Sequence, residues 1–219
     1  MATKDAYYSR GEVSNSDLTE LKNLIHPQFQ LSGDKERAFK MGTLVDALIT
    51  EPEKIDFYGR KIDDYLYSKE EFEHGRRMRE ALKREAQLDP FLARVLNEAD
   101  TQTIMVNTSQ MFDYSGFQFS LDTRCKWDWF FSSFGFGGDL KTTSASTQAE
   151  FENAIDAFDW DRSRAWYMDI AGSDKDFIYA ISKKNFRVFK KFIQRGDETY
   201  MKGREKYEEL AFKYWCFVL

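Results

Sequence analysis

A chain of 219 residues, 42% apolar and 16% aromatic, can bury a full core. A net charge of −5 weighs mildly against a protein that coats nucleic acid and leaves room for an enzyme with a local basic groove. Cys125 and Cys216 are too few for a disulfide framework or a four-thiolate cluster, MATKDAYYSRGE has no apolar leader core, and no segment approaches membrane-spanning length. A cytoplasmic protein that does not enter the membrane is expected.

Taken in order, Ser14-Asn15-Ser16-Asp17 precedes Leu18, Leu21, Leu24 and Ile25, an N-cap cluster followed by helical spacing that Pro27 closes. A second helix is predicted over 34–50, with Ala38, Met41, Leu44, Val45, Leu48 and Ile49 as its buried stripe. Asp46 lies just off that stripe, one turn after Gly42, and on its own reads as a boundary polar residue. Residues 53–67 look like an irregular connection, and charged helices follow over 69–86 and 89–98. The character then changes to β-rich segments at 102–109, 112–121, 124–131 and 136–143. Helices return at 147–158 and 161–171, a second hairpin is expected from 177–183 and 186–193, and a last helix covers 198–215. This order predicts an α/β fold, a central mixed sheet flanked by helices. It forms one domain over 1–219, mainly helical to residue 98 and carrying the sheet from 99 onward.

Residues 124–143, RCKWDWFFSSFGFGGDLKTT, carry the chemistry. In a tight hairpin, alternation puts Asp139 and Lys141 on one face and Leu140 on the other. On the first strand Asp128 shares a face with Lys126 and Phe130, opposite Cys125, Trp127, Trp129 and Phe131. A turn centred on Ser133 and Phe134 sets Asp128 across from Asp139. Two facing carboxylates destabilise a sheet unless positive charge lies between them, and a divalent cation is the obvious candidate. Mg²⁺ takes oxygen ligands and keeps several waters, so two aspartates and a backbone carbonyl form an adequate cradle for phosphodiester hydrolysis. Lys141 could then orient water or stabilise charge on the phosphate. The competing reading of the same residues is a cross-strand salt bridge on a surface sheet. Elsewhere, Arg76, Arg77, Arg79, Lys83 and Arg84 read as a solvated helix face. No acid interrupts residues 177–196, where Lys183, Lys184, Arg187, Lys190, Lys191 and Arg195 make a polyanion contact and a solvated face equally good readings.

Asp128 followed by Asp139-Leu140-Lys141-Thr142-Thr143 resembles the active-site core of the PD-(D/E)xK nuclease superfamily, and more closely its RecE / lambda-exonuclease branch from phages and prophages. Val13-Ser14-Asn15-Ser16-Asp17-Leu18, Met41-Gly42-Thr43-Leu44-Val45-Asp46-Ala47-Leu48 and Arg124-Cys125-Lys126-Trp127-Asp128 resemble that branch in the same order, so the likeness spans residues 13–167. It implies a restriction-endonuclease-like core and a Mg²⁺-dependent exonuclease (Mn²⁺ as the alternative ion), hydrolysing linear duplex DNA from a 5′ end to leave 3′ overhangs. Asp128, Asp139 and Lys141 would be catalytic, with Asp46, Asp128, Asp139 and the Leu140 carbonyl around the metal. The second basic run, through Lys183, Lys184, Arg187 and Lys190, would touch DNA. Ser16 resembles a serine near the 5′ phosphate and reads equally as a helix N-cap. Asp46 stands where many relatives carry histidine, and an acid serves Mg²⁺ as well. The glutamine-x-x-x-tyrosine helix motif falls on Ser163 to Tyr167 with serine for glutamine, so Tyr167 is either a DNA contact or a packing aromatic. The resemblance further implies a single-strand annealing recombinase (RecT/beta-like) as partner and a homo-oligomer around DNA ends. An endonuclease of the same fold and a non-catalytic binding member are the alternatives.

Overall fold

The computed structural model describes residues 6–27 and 32–218; the opening MATKD and Leu219 lie outside them. Helix α1 (Asn15–Ile25) begins with a capping box, in which the Ser14 hydroxyl accepts from the Asp17 N–H at 3.3 Å and the Asp17 carboxylate accepts from the Ser14 N–H at 2.7 Å. Ser14, not Ser16, is therefore the cap. Leu18 and Leu21 are buried, but Leu24 is 79% exposed, so the apolar stripe is narrower than its spacing suggests. Helix α2 (Ser32–Thr50) buries Leu44, Val45 and Leu48 and stops before Pro52. The connection that follows is more ordered than predicted. It holds the two-residue strands β1 (Ile55–Asp56), β2 (Lys61–Ile62) and β3 (Tyr65–Leu66), too short to show an alternating pattern. Helices α3 (Lys69–Glu85) and α4 (Pro90–Glu98) are capped by Ser68 and Asp89.

Strands β4 (Asp100–Tyr114), β5 (Phe117–Phe131) and β6 (Phe136–Thr143) form an antiparallel meander. Helices α5 (Gln148–Ala157) and α6 (Trp160–Ala171) then cross to β7 (Lys175–Ser182), which runs parallel to β6. Strand β8 (Val188–Gln194) closes the order β4-β5-β6-β7-β8, and α7 (Glu198–Phe217) packs back on α6. The sheet is mixed and flanked by helices, as the sequence predicts. One expected strand is not continuous: the chain turns inside 112–121, where Ser115 (φ +54°) and Gly116 (φ +84°) supply the two positive-φ positions of a tight hairpin. The break expected near residue 110 is a bulge instead, with Ser109 at φ +56° and its N–H on Asp122.

Each sheet face buries its own core. One packs Cys125, Trp127, Phe130, Ile178 and Ala180 against α1, α5, α6 and α7. The other packs Trp129, Phe131, Leu140, Phe177, Tyr179 and Ile181 against Val45 of α2, Met78 of α3 and Leu92 of α4. Gly137 and Gly138 permit this closeness, because a Cβ would meet the Trp129 carbonyl at 2.4 Å and the Phe177 ring at 2.1 Å. Both cysteines are free, Cys125 buried and Cys216 exposed. Among the described residues no helix is long and apolar enough to cross a membrane.

Candidate active site

The β5–β6 ladder runs from Phe131↔Phe136 to Trp129↔Gly138 and then parts. The next pair in that register is Asp128 and Asp139, the pairing the sequence predicts. Beyond it β6 leaves β5 to run beside β7, with Asp139 next to Ile178 and Lys141 next to Ala180. Where a ladder bond would be, Asp128 Oδ2 accepts the Leu140 N–H at 2.8 Å. Leu140 faces the aromatic core while Asp139 and Lys141 face α6, as alternation requires.

Alternation fails one residue earlier. Trp127 and Cys125 share the core of Phe130, opposite Trp129 and Phe131, so the predicted grouping of Cys125 and Trp127 with Trp129 and Phe131 does not hold, while Lys126 and Asp128 line one cleft as expected. The reason is local. Across from Asp128 on β4 sits Gln102, between the paired residues Thr101↔Trp129 and Thr103↔Trp127, and its φ of +53° kinks the strand.

The parting strands floor an open cleft of about 1390 Å³, lined by Ser16, Asp46, Asp128, Asp139, Lys141 and Lys183 among others. Asp128 is held well above the usual carboxylate range, first by burial and then by the charges of Asp46 and Asp139. Burial also raises Asp46, partly offset by the Thr50 hydroxyl 2.9 Å away. For Asp139 burial acts the same way, but the Arg164 guanidinium and the Lys141 ammonium outweigh it and hold the group ionised. Lys141 Nζ lies 2.5 Å from Asp139 Oδ2, so an ion pair does form; it sits in the cleft, with Asp139 buried.

Arg164 escapes sequence reasoning. It is fully buried beneath Asp139, with Nη2 3.5 Å from Asp139 and Nη1 3.7 Å from Asp176, and its guanidinium lies over the Trp127 and Tyr167 rings. A helix pattern of Asp161-Arg162-Ser163-Arg164 looks solvent-facing, yet all four are buried; only the packing of α6 under the sheet shows it. Tyr167 lines the cleft while its ring packs on the Arg164 guanidinium. Of the predicted basic run, Lys183 reaches the cleft. Lys184, Arg187 and Lys190 are exposed outside it, and Lys190 pairs with Asp89 at 2.8 Å.

The donor set suits a hard cation: the carboxylates of Asp46, Asp128 and Asp139 line one cleft. As placed, the side chains turn to other partners, and among the described residues no three His, Cys, Asp or Glu groups converge closely enough to share an ion.

A mixed sheet that parts over Asp128, with Asp-x-Lys on the next strand, has the arrangement of a PD-(D/E)xK-type core. The chain belongs to the family described as a PDDEXK-like domain of unknown function (DUF3799), whose model matches residues 15–217. No curated protein matches it. Among solved structures it is similar to SSO0001 (13% identity, TM-score 0.37, 61% of this chain), of which it spans 56%. It is also similar to a phage related exonuclease from Haemophilus somnus 129PT, at 14% identity and TM-score 0.40 over 78% of this chain and 80% of that one. An alkaline exonuclease (LHK-Exo) from Laribacter hongkongensis matches at 13% identity and TM-score 0.31, over 96% and 94%.

Proposed function

We propose that the protein is a divalent-cation-dependent DNA exonuclease that hydrolyses the phosphodiesters of linear duplex DNA. The observation that carries this reading is the junction at which β5 and β6 part, which delivers Asp128, Asp139 and Lys141 to one cleft with Asp46 opposite. Asp46, Asp128 and Asp139, with the Leu140 carbonyl, would hold Mg²⁺ or Mn²⁺. When bound, such an ion lowers the pKa of water and neutralises charge on the phosphate.

The chain's own groups have distinct parts. Asp139, already ionised above Arg164, is a fixed negative anchor. Burial and the charges of Asp46 and Asp139 hold Asp128 above the usual carboxylate range, and a bound cation would favour its ionised form. Lys141 Nζ, beside Asp139 Oδ2, is placed to orient the attacking water or to meet charge growing on the phosphoryl oxygens. Lys183 and Ser16, both in the cleft, are placed for the backbone of the strand being cut.

The preference for DNA ends, 5′-to-3′ polarity and 3′ overhangs follow from the resemblance of residues 13–18, 41–48 and 124–143 to the RecE / lambda-exonuclease branch. A homo-oligomer and a single-strand annealing partner follow from the same likeness, and a cytoplasmic setting from the two-cysteine composition. The test is digestion of one duplex sequence in linear and covalently closed circular form with Mg²⁺. An exonuclease consumes only the linear form; cutting of the circle would assign an endonuclease of the same fold.

A further inference from the structure

We infer that Gln102 is a positioning residue for the candidate active site: its side-chain amide fixes the Asp46 carboxylate for joint work with Asp128 and Asp139 on a divalent cation. The inference rests on the cation-dependent hydrolysis proposed above and adds a residue to it.

Three observations meet at Gln102. Its backbone lies at φ +53° in the middle of a long strand, a left-handed conformation that favours glycine and carries strain for any other residue. That position stands across from Asp128, where β5 breaks its own alternation. The side chain reaches over to α2, where Nε2 donates to Thr50 Oγ1 at 3.0 Å and lies 3.4 Å and 3.5 Å from the two Asp46 oxygens. The single Thr50 hydroxyl proton in turn lies between Asp46 Oδ1 at 2.9 Å and the Asp46 backbone carbonyl at 3.0 Å. The amide therefore bonds the hydroxyl that bonds the acid and sits at the outer edge of hydrogen-bond reach of both carboxylate oxygens, while Asp46 itself lines the cleft.

Backbone strain persists where the surrounding structure holds it for a purpose, and here it aims a polar side chain at an acid that a helix alone would leave free to rotate. Among the described residues, the hydrogen bonds to the Asp46 carboxylate come from Thr50 and Gln102. Partners of this kind, one step outside the ligands, typically change metal affinity or activity by 10–100-fold when removed.

Two variants separate the amide from the backbone. Gln102→Gly removes the amide and relaxes the strained φ; Gln102→Met keeps length and strain but cannot donate. Each is compared with wild type and with Asp139→Ala by Mn²⁺ titration calorimetry without DNA, by thermal melting and by steady-state digestion of linear duplex. Expected are about 10–100-fold weaker Mn²⁺ binding in both variants, a lower kcat with KM for DNA little changed, and a Gln102→Gly melting temperature at or above that of wild type. Wild-type Mn²⁺ affinity in both variants overturns the inference. So does an affinity loss that appears only alongside a lowered melting temperature in both, which marks a structural role. If Asp139→Ala loses Mn²⁺ and activity while the Gln102 variants keep both, this inference alone falls. If wild type neither binds Mn²⁺ nor digests DNA, the proposed function falls with it.

Discussion

Replacing Arg164 with methionine is predicted to destabilise the fold by about 3–5 kcal/mol, the usual result of removing one partner from a buried charge pair. The structure supplies the reason for so large a value. Arg164 has no accessible surface and stands between Asp139 (3.5 Å) and Asp176 (3.7 Å). Both Asp176 oxygens are buried without a side-chain hydrogen bond, and Arg164 is the largest influence favouring that carboxylate. Asp139 fares better because Lys141 remains at 2.5 Å. Against a total stability of about 5–15 kcal/mol, the loss lowers the melting temperature by about 6–20 °C for a chain of this size. Adding Asp176→Asn should recover part of it by removing the stranded charge.

The loss also depends on pH. Burial already pushes Asp176 well above the ordinary carboxylate value, and in the variant no guanidinium pulls it back. The unfolded chain is common to both proteins, so the deficit widens with pH only where the folded wild type has released a proton that the folded variant still holds, a range that begins at the already raised value of Asp176. Urea and thermal unfolding of wild type, Arg164→Met and Arg164→Met/Asp176→Asn at acid and neutral pH measure this. A loss under about 1 kcal/mol, or a double variant less stable than the single one, would refute the reasoning.

Gly203→Ala should destabilise despite the better helix propensity of alanine. Its Cβ would sit 2.2 Å from the Asp161 carbonyl oxygen, a backbone atom of α6 that cannot rotate aside. Overpacking costs about 1–3 kcal/mol and exceeds the propensity gain of about 1 kcal/mol; chemical denaturation decides the sign. Mn²⁺ affinity should rise with pH, because burial and neighbouring acids hold Asp128 and Asp46 protonated above the usual range, and the ion must displace those protons. Calorimetry from acid pH upward should show affinity climbing by up to about tenfold per proton and pH unit until both groups are ionised. An affinity flat across that range contradicts the assignment of these groups.

The parts of this molecule legible in its sequence are those set by period and turn chemistry. The capping cluster before Leu18, the α2 stripe, the Asp128–Asp139 register and the α5–α6 crossover follow from spacing that one face of a strand or helix must obey. Positive-φ positions at non-glycine residues are what the sequence hides. Ser115 and Gln102 look like ordinary strand residues, yet the first reverses the chain and the second kinks it, so 112–121 is not one strand and Trp127 lies on the other face. Buried charge is hidden for a related reason. Arg164 and Asp176 read as surface residues because nothing local announces that α6 slides under the acids of β6. The cluster of acids was readable as a candidate site; its support was not.

The most direct test of the account is digestion of a linear DNA duplex with Mg²⁺ by wild type, Asp139→Ala and Lys141→Ala, alongside melting curves and DNA-binding titrations of the same proteins. The account predicts metal-dependent release of nucleotides by wild type. Both variants, folded and still binding DNA, should lose activity by at least about 100-fold. Wild-type rates from variants that fold normally would contradict the assigned site.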